Sequence, residues 1–248
     1  MSRIRRVFEN ETAILSFLMG GDPSLAATES LAMAMLGSGA HGLVTAIPFS
    51  DPIEGAQGQK AHLRALASGV TTGGLLCMIG RLRDRTDQPI LLQAYLNVLY
   101  HYGYDSFFAA CSQAGVDGLI IPDLPCEEKG ELLPFAAVHH IDLIPLIAPT
   151  SGGRIKDLLA GSRGFAYLPS LPDPTETVRF TREVTDQSGL PVVIEMPVFE
   201  EDRATILFEA ADGILWSGAL GLIDQYGDEA AQPIREALTA IRKAVVRG

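Results

Sequence analysis

The sequence predicts an α/β chain closed into a (β/α)8 barrel, that is, a TIM barrel. Three observations predict it. Eight short apolar segments recur along 248 residues. Stretches with apolar residues at helical spacing separate them. Strands that alternate with helices pair in parallel, and eight of them in about 250 residues suit a closed barrel. An open doubly wound sheet is the alternative that the same alternation allows.

The expected strands span residues 14–18, 43–47, 90–95, 118–121, 142–147, 165–168, 192–194 and 213–216. Between them, helical spacing is read over 25–36, 106–114, 127–139, 154–159 and 204–210. Asp22-Pro23-Ser24 opens the first of these helices with a cap and a proline, and Gly37 and Gly39 close it. The second strand carries β-branched Val44, Thr45 and Ile47, as a strand covered on both faces would. Pro48 and Pro52 stop it and present Phe49, Ser50 and Asp51 beyond its carboxyl end. The longest insert, 51–88, holds a polar glycine-rich loop around Glu54 and two expected helices. Residues 169–177 contain three prolines and are expected to form a stiff loop after the sixth strand. Glu195 ends the apolar run Pro191-Val192-Val193-Ile194, which places it at the barrel mouth. Neither repeat nor linker interrupts the chain, so one domain is expected over 1–248.

A net charge of −11 argues against nucleic acid and anionic membranes as partners. Hydrophobic residues make up 47% of the chain, enough for a sizeable core. Cys77, Cys111 and Cys126 show no metal spacing, and Cys77 and Cys111 are expected to be buried thiols in a reducing compartment. The basic N-terminal segment is not followed by the apolar core of a signal peptide, and no run reaches the length of a membrane span. The expectation is a soluble cytoplasmic protein without a cofactor. None of the five histidines lies in a metal-binding pattern, and His139-His140 is expected to be a surface pair at a helix end.

Seven blocks, in order along the chain, carry a resemblance. They are FLMGGDPS (17–24), IPFSDP (47–52), LRALASGVT (63–71), AYLNVLYHYG (94–103), AGVDGLIIPDLPCEE (114–128), RGFAYL (163–168) and WSGAL (216–220). Together they resemble the tryptophan synthase alpha-subunit family. The resemblance implies a lyase that splits indole-3-glycerol phosphate by a retro-aldol step into indole and glyceraldehyde 3-phosphate. That chemistry needs a group that protonates the indole carbon and takes the side-chain hydroxyl proton. It also needs a carboxylate to stabilise positive charge on the ring nitrogen.

Carried over onto this chain, the family's proton-transferring Glu falls on Val44, which moves no proton. The loop Asp falls near Glu54, with one residue deleted. The phosphate-binding glycine after the sixth strand corresponds to Glu176, beside a retained Thr175. The glycine-aromatic-glycine after the seventh strand reads Glu195-Met196-Pro197. After the eighth strand Gly218 remains, but the family's serine is Ala219. Carboxylates and a proline at these positions oppose a phosphate dianion. Phe17, Tyr95, Asp123 and Tyr167 match family pocket positions, and barrel packing is the plain reading of the aromatic ones. Glu54 and Glu195 are the candidates to replace the missing base, with Tyr167 beside them and Asp51 facing them. An exposed loop acid is the plain reading of Glu54.

Three readings stay open. One is a carbon–carbon lyase with an altered, non-phosphorylated substrate. Another is a catalytically silent subunit that binds a beta-like, pyridoxal-phosphate-dependent partner. The third is the family's own reaction in a rearranged site.

Overall fold

In a computed structural model of the chain, residues 2–9 and 11–245 are described. Eight parallel strands form the sheet: β1 (Ala13–Met19), β2 (Gly42–Ala46), β3 (Ile90–Gln93), β4 (Gly118–Ile120), β5 (Asp142–Ile144), β6 (Ala166–Leu168), β7 (Val192–Met196) and β8 (Gly213–Trp216). They follow the order β5-β4-β3-β2-β1-β8-β7-β6. The two ends of that order meet. Leu146 bridges Tyr167, and the Ile147 N–H donates to the Tyr167 carbonyl at 2.9 Å. Closure removes the exposed edges that an open sheet would leave.

The strands alternate between two apolar clusters, as period-two side chains must. Facing inward are Leu15, Phe17, Val44, Ala46, Leu91, Ile120, Ile144, Phe165, Tyr167, Val193 and Leu215. Facing the helices are Ile14, Leu18, Leu43, Ile90, Leu92 and Ile214. Thr45 pairs in register with Leu18 and Leu92, so it points to the helical layer, as alternation from Val44 requires.

The expected first helix is present as Leu25–Leu36, with the Ser24 hydroxyl accepting from the Ala27 N–H at 3.1 Å. The long insert folds into Ala56–Ala67 and Thr72–Arg83. Other expectations need correction. The helix read over 127–139 is a 3-10 turn at Cys126–Glu131 followed by Leu133–His139, where Pro134 sits in the first turn and lacks an N–H to continue from upstream. The stiff loop ends earlier than 177, because Pro174 starts a helix, Pro174–Ser188, capped by Asp173. Leu96–Tyr102, Ala219–Tyr226 and Ala231–Val245 are further helices. Cys77 is exposed, on the outer face of Thr72–Arg83, whereas Cys111 is buried, and burial pushes its thiol up to about 12. His140 closes its helix in the left-handed region (φ 57°), and the His139 imidazole pairs with Asp105 at 3.0 Å. No single helix among the described residues is long and apolar enough to cross a membrane.

Candidate active site

The carboxyl ends of the strands open onto a cavity of about 610 Å³. Its walls are mostly apolar: Phe17, Ile53, Leu146, Leu215 and Leu220, with Pro122, Pro169 and Pro197. Its polar groups are Glu54, Gln57, Gln93, Tyr167, Glu195 and Ser217. No lysine, arginine or histidine lines it among the described residues. Nor do three metal-capable side chains converge anywhere among them.

Glu54 lies in the loop between β2 and Ala56–Ala67. Gly58 lets the loop fold back, since a Cβ there would lie only 2.6 Å from the Glu54 Cβ. The carboxylate is held from three sides. Gln93 Nε2 donates to Oε1 at 2.8 Å, the Tyr95 hydroxyl donates to Oε2 at 2.6 Å, and His62 Nε2 lies 3.2 Å from Oε2. Burial pulls its pKa up, but the hydrogen bonds from His62 and Tyr95 outweigh burial and hold it below the ordinary glutamate value. Glu54 is therefore a fixed, ionised acceptor and not a free loop acid.

Glu195 stands on β7, two residues after inward-facing Val193, so alternation turns it into the barrel. Its environment works the other way. Burial and then the charge of Glu54 push its pKa up, against hydrogen bonding from Tyr167 and Ser217. Tyr167 is itself buried, and burial beside Glu195 pushes its hydroxyl well above the usual range. One carboxyl group is pushed towards its charged form and the other towards its protonated form, a divergence that suits two acids to different roles.

Around the expected anion-binding positions, several polar groups already find partners within the chain. Above Gly218, a Cβ would strike the Trp216 indole nitrogen and meet the Pro197 carbonyl oxygen at 3.0 Å. Of the N–H groups opening Ala219–Tyr226, that of Leu220 already donates to the Ser217 carbonyl at 3.1 Å and that of Gly221 to the Gly218 carbonyl at 3.2 Å. At the start of Pro174–Ser188, Asp173 accepts from the Thr175 N–H at 2.8 Å, so the chain's own carboxylate occupies that helix end. Thr175 and Glu176 are exposed on this helix and do not line the cavity.

Other expected site residues have different places. Phe17 forms cavity wall. Tyr95 stands behind Glu54, accepting from the Ile53 N–H at 2.8 Å while it donates to the carboxylate. Asp51 does not face Glu54 and Glu195; it is exposed and accepts from the Ser50 hydroxyl at 2.8 Å. Asp123 accepts from the Leu96 N–H at 2.8 Å and so caps Leu96–Tyr102. Val44 is fully buried in the inner cluster and lies outside the cavity lining. Sequence reading missed Gln93, His62 and Ser217. Gln93 had a signal, as the one polar residue in the strand Ile90-Leu91-Leu92-Gln93. His62 shares the buried face of its helix with Gly58, Ala61 and Ala65, and a histidine there needs a partner.

The comparisons fit this architecture. The family model for the tryptophan synthase alpha chain matches residues 5–245. The tryptophan synthase alpha chain of Lacticaseibacillus casei is 34% identical, with 99% of this chain and 96% of that protein covered. That of Halorhodospira halophila is 36% identical, with 99% and 97% covered. Among solved structures, tryptophan synthase subunit alpha from Legionella pneumophila superposes with a TM-score of 0.94 at 29% identity, covering all of both chains. A chain of the tryptophan synthase complex from Pyrococcus furiosus does so with a TM-score of 0.89 at 27% identity, covering 94% of this chain and 98% of that one. The chain belongs to the tryptophan synthase alpha chain family.

Proposed function

We propose that this protein is a retro-aldol carbon–carbon lyase acting on a non-phosphorylated indolyl alcohol, with Glu195 as the proton-transferring group. The observation that carries the reading is the pair of carboxyl groups on one cavity, Glu54 held ionised and Glu195 raised. In its acid form Glu195 gives a proton to the ring carbon that bears the side chain. The resulting carboxylate takes the proton of the side-chain hydroxyl as the carbon–carbon bond breaks. Indole and an aldehyde leave, and the acid form of Glu195 is restored. Glu54 accepts from the ring N–H and stabilises the positive charge that the first proton transfer creates. Tyr167 sits against Glu195 and orients it. No cofactor is needed for these steps.

The altered substrate is argued from charge and space. A phosphate dianion would face the Glu54 carboxylate without a cation in the lining, Pro197 offers no N–H, and Asp173 already holds the start of Pro174–Ser188.

A thermal-shift comparison tests this. Indole at millimolar concentration is expected to raise the melting midpoint, because it binds the native state alone. Glycerol phosphate is expected to leave it unchanged. A clear shift with glycerol phosphate, or normal turnover of indole-3-glycerol phosphate, would sink the non-phosphorylated substrate and favour the family's own reaction.

The exposed apolar side chains favour a second reading beside the first. Ile53 is 67% exposed and Tyr100 is 70% exposed, on segments that follow the neighbouring strands β2 and β3 at the cavity end. A beta-like, pyridoxal-phosphate-dependent subunit covering that surface would account for them. The Pyrococcus furiosus relative is a tryptophan synthase complex. A silent subunit would bind such a partner and show no turnover when Glu195 is intact.

A further inference from the structure

We propose that His62 is a positioning residue, which fixes Glu54 by donating from Nε2 while its own Nδ1 is pinned by the backbone of Phe49. It rests on the proposed lyase only for what Glu54 does to a ligand.

The protonation pattern follows from the partners. Phe49 N–H lies 2.9 Å from His62 Nδ1, and a backbone amide can only donate. Nδ1 therefore carries no proton, and the neutral ring carries it on Nε2, 3.2 Å from Glu54 Oε2. The same logic fixes Tyr95. Its oxygen accepts from the Ile53 N–H at 2.8 Å, so its proton goes to Glu54 Oε2 at 2.6 Å. Oε2 then has both lone pairs engaged. Oε1 accepts from the Gln93 side chain, and the carboxylate lines the cavity, where it can meet a ligand's N–H.

The rings behind these bonds are locked as well. His62 has a side chain 1% exposed. Tyr95 stacks on Phe49 with centroids 4.6 Å apart, and His62 meets Tyr95 edge-on at 6.2 Å. A carboxylate on a loop has several rotamers to choose from. Here the 47–52 loop dictates the tautomer of His62, and His62 helps to dictate the rotamer of Glu54. A histidine that merely filled the core would leave the titration of Glu54 alone, which separates the two roles.

The experiment is NMR on the full chain. Labelled histidine nitrogens report the tautomer, and labelled glutamate carboxyl carbons report the Glu54 titration in wild type, His62→Asn and His62→Gln. The asparagine side chain reaches as far as Nδ1 and keeps the bond from Phe49; the glutamine side chain reaches as far as Nε2 and keeps the bond to Glu54. Expected are a proton on Nε2, a Glu54 midpoint that rises in His62→Asn, and a return towards the wild-type midpoint in His62→Gln. Indole affinity should fall about tenfold in His62→Asn, one hydrogen bond to a charged group being worth roughly that much. A proton on Nδ1, or an unmoved Glu54 midpoint in His62→Asn, overturns the positioning role. Should His62→Asn fail to fold, the wild-type tautomer still decides. Failure of wild type to bind indole or to turn over any indolyl alcohol counts against the lyase and leaves the Glu54 titration as it stands.

Discussion

Glu54 and Glu195 line the same cavity, yet their surroundings push them in opposite directions, and this has consequences for stability as well as chemistry. Glu195 has a folded-state pKa above its unfolded one. Its favourable contribution is fully present below the ordinary glutamate value and is lost as pH rises through the raised value. At neutral to alkaline pH the buried charge is a liability. Replacing Glu195 by Gln removes that charge and keeps the shape, so Glu195→Gln is expected to melt at a higher temperature than wild type at pH 8. The gain should shrink to nothing as pH falls to the ordinary glutamate range. Turnover should drop by about 10²–10⁴-fold, the usual loss for a general acid–base group. A variant more stable and less active is the trade expected of a functional group whose charge is buried. Equal melting at pH 8 would mean that burial does not raise Glu195. Glu54 has the reverse sign: its contribution is present above the ordinary glutamate value and is lost as pH falls through its lowered one.

At the scale of elements, the segment between β6 and Pro174–Ser188 is the informative one. Its prolines were legible in the sequence as stiffness. What clamps it was not, because the clamp comes from elsewhere in the chain. Arg203, on the helix Glu201–Phe208, donates to the Pro172 carbonyl at 3.0 Å, to the Ser170 hydroxyl at 2.8 Å and to the Leu171 carbonyl. Arg203→Ala should free residues 169–173 while leaving the barrel intact. Each lost bond to a charged donor is worth about 1.5–3 kcal/mol at most, less where solvent reaches it. Hydrogen exchange is the direct check: amides of 171 and 173 should exchange faster in the variant, while those of β6 stay protected. Uniform protection across 169–173 would show that the prolines suffice. The same distinction runs through the rest of the fold. Strand positions and the barrel were readable from local period, as β8 (Gly213–Trp216) shows by matching its expected span. Glu54 was readable only as a carboxylate near the right place, since its three donors come from β3, the turn after it and a helix eight residues on. Asp51 and Asp123 were readable only as acids near the barrel mouth, without their partners. Asp51 takes a local serine hydroxyl and Asp123 a helix-start N–H 27 residues away, and neither side chain lines the cavity.

Across the whole molecule, the barrel interior is graded. Val44, Leu91, Ile120, Ile144, Phe165 and Val193 make an apolar floor, and Gln93, Tyr167, Glu195 and Ser217 bring polar groups to the cavity at its mouth. The resemblance puts the family's proton-transferring carboxylate at the position of Val44, on β2; in the proposed lyase that role passes to Glu195, on β7. Val44 is in register with Phe17 and Leu91, and all three are buried in the floor. Restoring a glutamate there tests whether the site has been rebuilt or has lost a single group. In a rebuilt barrel, Val44→Glu places a carboxylate among apolar neighbours with nothing to pair it. Stability should fall by about 3–5 kcal/mol at pH 7, the range for an uncompensated buried charge. The loss should be smaller at pH 5, where the added group is protonated more easily. No cleavage of indole-3-glycerol phosphate should appear, because the lining would still lack a cation and Asp173 would still hold the start of its helix. Urea unfolding at both pH values and a single-turnover assay read the two outcomes separately. A Val44→Glu variant that is as stable as wild type and cleaves the phosphorylated substrate would reverse the conclusion, and would mean that one side chain alone separates this chain from its family's reaction.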